Sequence, residues 1–446
     1  MINTVVHGDC IDVLRLLPEN SIDSVVTDPP YGLGVVNDLA GLLTSWMNGD
    51  DGYEHAQKFG FMNKTWDALC PSPRYWRALY RVMKPGAYLL AFAGTRTWDL
   101  MSMAIRLAGF EDRDTIASEF GVSALSWVYG EGMPKSHKLN NGTWGTNLKP
   151  AWEPILCFRK PVVGTITSNT ARYRTGGINI DGCRVSYQSE TDSKPKNYTH
   201  NKGIGTYQQL LKDHGARKYT DGFSYQKNDF VSETHPKGRW PANLVFVHGE
   251  KCEENQCEDT CPIVALDHQT GLRKSGGGIK QKAGRTIGLL QGEETYHFAR
   301  DGREWQSSEG GASRYFNQFY YEPKAKKKEK EAGCEELPMQ QGFDKNTSKT
   351  IVRSHPETGK QETFEYVPSN YKNTNPCVKP INLMKWLVTL VTPEHGIVLD
   401  PFCGSGSTCV AALQTGFRFL GIENEEQYVR ISQARLAHAQ KEIKHS

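Results

Sequence analysis

The chain has 446 residues, of which 38% are hydrophobic, 23% charged and 10% aromatic, an ordinary globular balance that excludes a disordered or fibrous protein. No apolar run reaches the roughly eighteen residues of a membrane span, and the first eight residues lack the basic start and apolar stretch of a secretory leader, so a soluble, cytoplasmic protein without membrane contact is expected. A formal net charge of +3 admits a nucleic-acid partner without requiring one, and eleven cysteines, an odd number, read as reduced thiols.

The first 163 residues alternate strand-like and helix-like segments. Thr4-Val5-Val6 is a short apolar run, and the helix after it sets Val13, Leu16 and Leu17 on one face before Pro18. Ser24-Val25-Val26 is a second run, ending at Asp28-Pro29-Pro30-Tyr31. Ala87 to Phe92, after Pro85-Gly86, reads as a buried strand. Leu100, Met103, Ala104 and Leu107 then recur at helical spacing before Gly109. Ile155-Leu156-Cys157-Phe158 closes the block. Strands alternating with helices predict a mostly parallel sheet covered on both faces, an α/β doubly wound, Rossmann-like fold.

From 164 to 370 the periodicity fades into a stretch rich in Gly, Ser, Thr, Asn and Lys with isolated aromatics, which reads as a loop-rich insertion. Regular patterning returns at 381. Leu383, Trp386, Leu387, Leu390 and Val391 predict a helix closed by Pro393, and Ile397-Val398-Leu399 a strand. Ser407-Thr408 are expected to cap the next helix, Phe419 to Ile422 form another strand, and a last helix starts at Glu425-Glu426. This C-terminal piece is too small to bury its own faces, so it must join the first block in one sheet.

Two loops carry chemistry. Asp400-Pro401-Phe402-Cys403-Gly404-Ser405-Gly406 follows a strand and opens a helix, and its glycines let backbone N–H groups approach a ligand. Glu423 ends the next strand, nineteen residues after Gly404, where a carboxylate can take two ribose hydroxyls. The third glycine of the dinucleotide fingerprint is missing, which weighs against NAD. Asp28-Pro29-Pro30-Tyr31-Gly32 is stiffened by two prolines. Such a loop can present the Asp28 carboxylate and the Pro29 carbonyl side by side, two acceptors for the two hydrogens of an exocyclic amine, while Tyr31 offers a face for an extruded base.

With these residues in this order the chain resembles the permuted, β-class DNA amino-methyltransferases, in which the Asp-Pro-Pro-Tyr loop comes early and the Phe-x-Gly-x-Gly loop late. The resemblance covers residues 1–163 and 371–446. It implies a circularly permuted sheet in which Thr4-Val5-Val6 supplies the strand that the C-terminus lacks. It implies three parts: a catalytic half over 1–163, an inserted target-recognition region over 164–370 and a cofactor-binding half over 371–446. Asp28, Pro29, Pro30 and Tyr31 would be catalytic. S-adenosylmethionine would be the cofactor, held by Asp400, Phe402, Gly404, Ser405, Gly406 and Glu423, with Asp9 and Cys10 at its adenine. Asn375 to Pro380, which includes Lys379, would line its methionine end; the family often has Thr where Cys377 stands. Gly176 to Arg184 and Gly238 to Asn243 resemble a branch frequent in phage and prophage enzymes. Asp in the first catalytic position is associated with adenine N6 and Ser with cytosine N4, so adenine is expected. Cytosine-N4 methylation and an inactive DNA-binding protein are the alternatives. Double-stranded DNA is the expected partner, and a homodimer and a cognate restriction nuclease are further partners the resemblance admits.

His248, Cys252, Cys257 and Cys261 are the one cysteine cluster, with three, four and three residues between them. They could satisfy zinc, but the spacing departs from paired Cys-x2-Cys and acidic residues stand between them. Unmetallated surface thiols are therefore expected, with no metal assigned. Lys324, Lys326, Lys327, Lys328 and Lys330, next to Tyr320-Tyr321, form a basic run read equally as a phosphate-contacting arm or a solvated loop. Arg172, Arg174, Arg184, Arg239 and Arg285 are candidate base or phosphate readers by location alone.

Overall fold

The apolar runs meet in one ten-stranded sheet: β1 (Thr4–His7), β2 (Ile22–Thr27), β3 (Met83–Phe92), β4 (Glu111–Asp112), β5 (Ala124–Tyr129), β6 (Trp152–Arg159), β7 (Leu244–Val247), β8 (Asn317–Phe319), β9 (Ile397–Asp400) and β10 (Arg418–Glu423). The structure is a computed structural model that describes residues 2–60, 64–112, 124–129, 148, 151–187, 192, 235–248, 252, 256–259, 261–275, 308–319, 327–341, 350–354, 361–365 and 370–445. The strand order is β1-β10-β9-β2-β3-β6-β5-β7-β8, with β4 on β6. Strands β1 to β3 along this order are parallel, as are β5, β7 and β8. β6 alone runs antiparallel between β3 and β5. The N-terminal strand pairs with the C-terminal one, Thr4 opposite Leu420 and His7 opposite Glu423, so the sheet is circularly permuted as expected.

Side chains that alternate along the strands feed two cores, one on each face. Val25 and Leu89 join the core built with α1 (Cys10–Leu16), α3 (Pro73–Val82) and α4 (Trp98–Leu107). Val26 and Leu90 join the other, built with α7 (Ile381–Val391), α8 (Ser407–Gln414) and α9 (Glu426–His445). α2 (Leu39–Asn48), α5 (Ile166–Tyr173) and α6 (Pro262–Thr270) complete the longer helices. All six residues of β2 are buried, and its polar members have partners. Asp23 takes the Lys84 ammonium at 2.5 Å and the Ile397 N–H at 2.8 Å, and Ser24 pairs with Thr392 at 2.8 Å.

Two predicted helices turn a different face inward. In α1 the buried stripe is Cys10, Ile11, Val13 and Leu14, whereas Leu16 is 71% exposed. In α4 it is Met101, Ala104 and Ile105, leaving Met103 and Leu107 exposed. Both helices carry apolar residues on more than one side, and packing, not spacing, chose between the stripes.

The chain forms two compact units, one comprising 1–183, 241–264 and 316–446, the other 184–240 and 265–315. Residues 241–264 and 316–319, drawn from the middle of the chain, thus enter the first unit through β7 and β8. In the second unit, Asp192 is buried and takes the guanidinium groups of Arg239, at 2.8 Å, and Arg314, at 3.1 Å. Arg239 is held there, and Arg184 donates to Gly238 O at 3.2 Å. Arg172 stacks over Tyr173 and Arg174 caps α5 in a left-handed conformation. Arg285, Tyr320, Tyr321, Lys324 and Lys326 lie outside the described residues. Lys327 to Glu331 form a short helix whose Glu329 accepts the Ile381 N–H at 2.7 Å. No helix among the described residues is long and apolar enough to cross a membrane.

Candidate active site

Four neighbouring parallel strands, β1, β10, β9 and β2, end side by side, and their carboxyl ends hold the residues singled out in the sequence. Thr27, the last residue of β2, donates to Asp400 Oδ1 at the end of β9 at 2.6 Å, which ties the two loops together. Beyond it Pro29 is buried and Pro30 half-buried. Gly32 is left-handed at φ +68°, and a Cβ there would stand 2.2 Å from the Cys70 backbone nitrogen, so only glycine fits. The Gly32 N–H donates to the buried Asp67 at 3.1 Å, and Thr97 Oγ1 donates to the Tyr31 carbonyl at 2.5 Å. The loop is therefore clamped at both ends.

Asp28 has two unlike oxygens. Oδ2 accepts the Lys379 ammonium at 2.6 Å. Oδ1 is buried and has no hydrogen-bond partner among the described residues. Lys379 Nζ is also 3.2 Å from the Tyr31 hydroxyl and 3.9 Å from Glu153 Oε2, and the Tyr31 hydroxyl donates to Glu153 at 3.0 Å. The ammonium lies 4.8 Å from the Phe92 ring centre and 5.4 Å from that of Tyr31. Burial alone would favour the neutral amine, but Asp28 and Glu153 outweigh it and raise the Lys379 pKa. Burial, then Asp28 and Glu153, raise that of Tyr31. Both groups therefore keep their protons at neutral pH.

On the other side of the site, Gly404 and Gly406 are left-handed, at φ +52° and +84°. A Cβ on Gly406 would meet Ser432 Cβ at 2.9 Å. Gly406 itself is the N-cap of α8 and no side chain caps the helix, so Ser407 and Thr408 are its first residues and not its cap. The buried Arg435 explains the difference: it donates to Ser405 O at 2.8 Å and reaches Ser405 Oγ at 3.1 Å and Ser407 Oγ at 3.2 Å. Glu423 takes the Gly404 N–H at 2.7 Å and the Glu425 N–H at 2.8 Å, and burial raises its pKa. The Gly8 N–H donates to Glu423 O at 2.9 Å, which brings Asp9 and Cys10 beside that carboxylate's strand end. Asp9 caps α1 by accepting from Ile11 N at 2.9 Å, and burial pushes the Cys10 thiol up to about 12. Phe402 is half-buried, 6.3 Å from the Trp76 ring. Asn375 accepts the Cys377 N–H at 2.8 Å, and Cys377 is exposed.

Asp400 is buried and its pKa is raised to about 6, by burial against the hydrogen bonds of Thr27, Thr408 and the Phe402 N–H. Because the folded value exceeds the ordinary 3.8, Asp400 binds its proton more tightly in the folded chain. Its contribution to stability is full below about pH 4 and is lost as pH rises through about 6. Asp400→Asn removes this dependence. Urea denaturation at several pH values should therefore show the variant gaining on the parent chain between about pH 4 and 6, and a constant difference would contradict it.

Sequence reasoning missed Glu153, Asp67, Thr97 and Arg435. Only Glu153 left a trace, as a charge inside the strand Trp152 to Arg159. The cysteine cluster also differs from expectation: Cys252 and Cys261 are buried, packed with Ile263 against Phe246 and Val264, and Cys257 is exposed. A cavity of about 210 Å³, lined by Gly86, Thr175 and Pro393 among others, lies by the start of β9 and away from all of this.

Comparisons with known proteins agree with this geometry. Residues 22–434 match the family model described as DNA methylase, of the N6/N4 type. The putative methylase YubD of Escherichia coli is 54% identical over 67 residues, 15% of this chain and 30% of that one. The type II methyltransferase M.HindIII of Haemophilus influenzae is 44% identical over 70 residues, 16% of this chain and 23% of that one. These matches span less than a third of either relative. The type II methyltransferase M.SfiI of Streptomyces fimbriatus is 22% identical over 444 residues, covering 95% of this chain and 88% of its own. Since the family model takes in nearly the whole chain, from β2 into α9, the chain belongs to the N6/N4 DNA methylase family.

Proposed function

We propose that the chain transfers a methyl group from S-adenosylmethionine to N6 of adenine in double-stranded DNA. The observation that carries this reading is the buried Oδ1 of Asp28, without a hydrogen-bond partner among the described residues, beside an Oδ2 already held by Lys379. A buried acceptor without a donor is unfavourable, and an exocyclic amine supplies the missing N–H. With Asp28 and the stiff Pro29 segment accepting its two hydrogens, the amine points its lone pair away from the loop. Bringing that amine to Asp28 requires the base to leave the stack, and Tyr31 gives it a face to lie on.

The residues opposite fit the cofactor. Glu423 has lone pairs beyond the two backbone N–H groups it accepts, enough for two ribose hydroxyls, and Gly404 and Gly406 leave the backbone open beside it. Asp9 and Cys10 would contact the adenine end and the segment from Asn375 to Lys379 would line the methionine end. When bound, S-adenosylmethionine supplies an electrophilic methyl group on a sulfonium. Transfer would form the N–C bond as the C–S bond of the sulfonium breaks to leave a thioether, and Asp28 Oδ1 or solvent would take the proton that the methylated nitrogen loses. Lys379, still protonated, cannot be the base; its ammonium holds Asp28 Oδ2 at 2.6 Å and so orients the carboxyl group toward the amine. Orientation and electrostatics do most of the work in such a site.

Adenine rests on Asp28 as the first catalytic residue. DNA incubated with tritium-labelled methyl donor and digested to nucleosides should carry its label in N6-methyladenine. Label in N4-methylcytosine would overturn the base and keep the chemistry. Unlabelled DNA would overturn the function.

A further inference from the structure

His248 directly follows β7, and its backbone N–H donates to Phe319 O of β8 at 2.9 Å, which fixes it at the end of the sheet. Cys252, Cys257 and Cys261 come from the segment that leads into α6. One ligand atom from each of the four residues lies within 4.8 Å of every other. His248 Nδ1 is 3.3 Å from Cys257 Sγ and 3.6 Å from Cys261 Sγ. A tetrahedral zinc with Zn–S of about 2.3 Å and Zn–N of about 2.05 Å has N···S edges of about 3.5 Å and S···S edges of about 3.8 Å. The two N···S separations bracket that N···S edge, the remaining pairs lie within 4.8 Å, and the three thiols are free of disulfides.

We propose that His248, Cys252, Cys257 and Cys261 bind one zinc ion in a closed, structural site. The surroundings are those of a ligand shell. The Gln318 side chain hydrogen-bonds the His248 imidazole and so fixes the ring, and the Glu258 N–H donates to Cys252 Sγ at 3.4 Å, which orients that sulfur. Four protein ligands complete the tetrahedron and leave no position for a substrate, so the ion acts on the fold and not on chemistry. The need is local. Among the described residues, the apolar cluster at this point has Cys252, Cys261 and Ile263 as its buried members, two of them the ligands themselves, so apolar packing gives these ligand residues little support of its own. Three residues after Cys261 the chain leaves the first compact unit, so a clip here fixes where that departure begins. Soft thiolates with one imidazole select zinc over the hard cations.

The test uses the full chain, purified without a polyhistidine tag and assayed for metals by mass spectrometry. About one zinc per chain is expected, falling below about a tenth in Cys257→Ser and in Cys261→Ser and unchanged in Cys183→Ser, whose thiol lies outside the cluster. Should the serine variants fail to fold, cobalt(II) exchanged into the parent chain should give the intense d–d bands and thiolate charge transfer of a four-coordinate sulfur site. A parent chain with substoichiometric zinc and no such cobalt spectrum overturns the proposal, as does zinc that persists in both serine variants. Bound iron with acid-labile sulfide also overturns it. None of these readouts depends on methyl transfer.

Discussion

Asp28→Asn should lower the single-turnover rate of methyl transfer by on the order of 10²–10³-fold, the size of effect seen when one preorganised hydrogen-bonding group is removed from a transition-state site. Asparagine keeps the volume and one acceptor, but it turns an N–H toward the amine hydrogens or toward Lys379 and abolishes the charge. Cofactor affinity should stay within about threefold, because the groups assigned to the cofactor end lie at Glu423 and Gly404 and not at Asp28. Asparagine is the informative substitution. The pair it disturbs is mostly buried, with side chains 15% and 11% exposed, and once the carboxylate is gone Lys379 keeps, among the described residues, the Tyr31 hydroxyl at 3.2 Å and the more distant Glu153 at 3.9 Å. Removing one member of a buried ion pair outright destabilises by about 3–5 kcal/mol, so an inactive Asp28→Ala would not separate lost chemistry from a lost fold. Calorimetric cofactor titration and a single-turnover assay on the same preparation check the split. Loss of cofactor binding in step with activity would count against it.

Glu423→Ala should do the reverse. It removes the carboxylate proposed to hold the cofactor's ribose and leaves the Gly404 and Glu425 N–H groups, now at 2.7 and 2.8 Å from it, without that acceptor. Hydrogen bonds to a charged group are worth about 1.5–3 kcal/mol each, so the loss of two ribose contacts should raise the cofactor Kd by on the order of 10²-fold or more. At saturating cofactor the rate should fall less than about tenfold, because the proposed orienting group for the amine is Asp28 and not Glu423. Glu423→Gln, which keeps one acceptor, should fall between. A pH dependence accompanies this. Burial raises the Glu423 pKa, so cofactor affinity should weaken, as pH is lowered, sooner than it would for an exposed carboxylate. In Glu423→Gln that acid limb should flatten. Titrations at several pH values measure both, and an unchanged Kd in Glu423→Ala would remove the ribose assignment.

The strands and the permutation were legible because they depend on short-range patterns. Val25-Val26 and Leu89-Leu90 are apolar at consecutive positions, as buried strands are, and a C-terminal piece with too few strands to cover its helices had to borrow Thr4 to His7. The inward faces of α1 and α4 were not legible. From Leu100 to Leu107 six of the eight residues are apolar, so spacing fits more than one stripe and only the neighbours decide. The site divides the same way. Asp28 and the Gly404 loop are contiguous motifs whose residue types state their use. The pairings that tune them join residues far apart: Lys379 and Asp28 are 351 positions apart, and Tyr31 and Glu153 are 122. No local pattern encodes such contacts. The cysteine cluster shows the limit from the other side, since its irregular spacing argued against a shared ligand set while the folded segment brings all four donor atoms within 4.8 Å.

The most direct test is mass spectrometry of nucleosides from the genomic DNA of a methylation-deficient host expressing either the parent chain or Asp28→Asn. The proposed function predicts N6-methyladenine with the parent chain and its near absence with the variant, at equal levels of folded protein. An equal signal from both would contradict the role of Asp28, and DNA without any modified base would contradict methyl transfer to DNA itself.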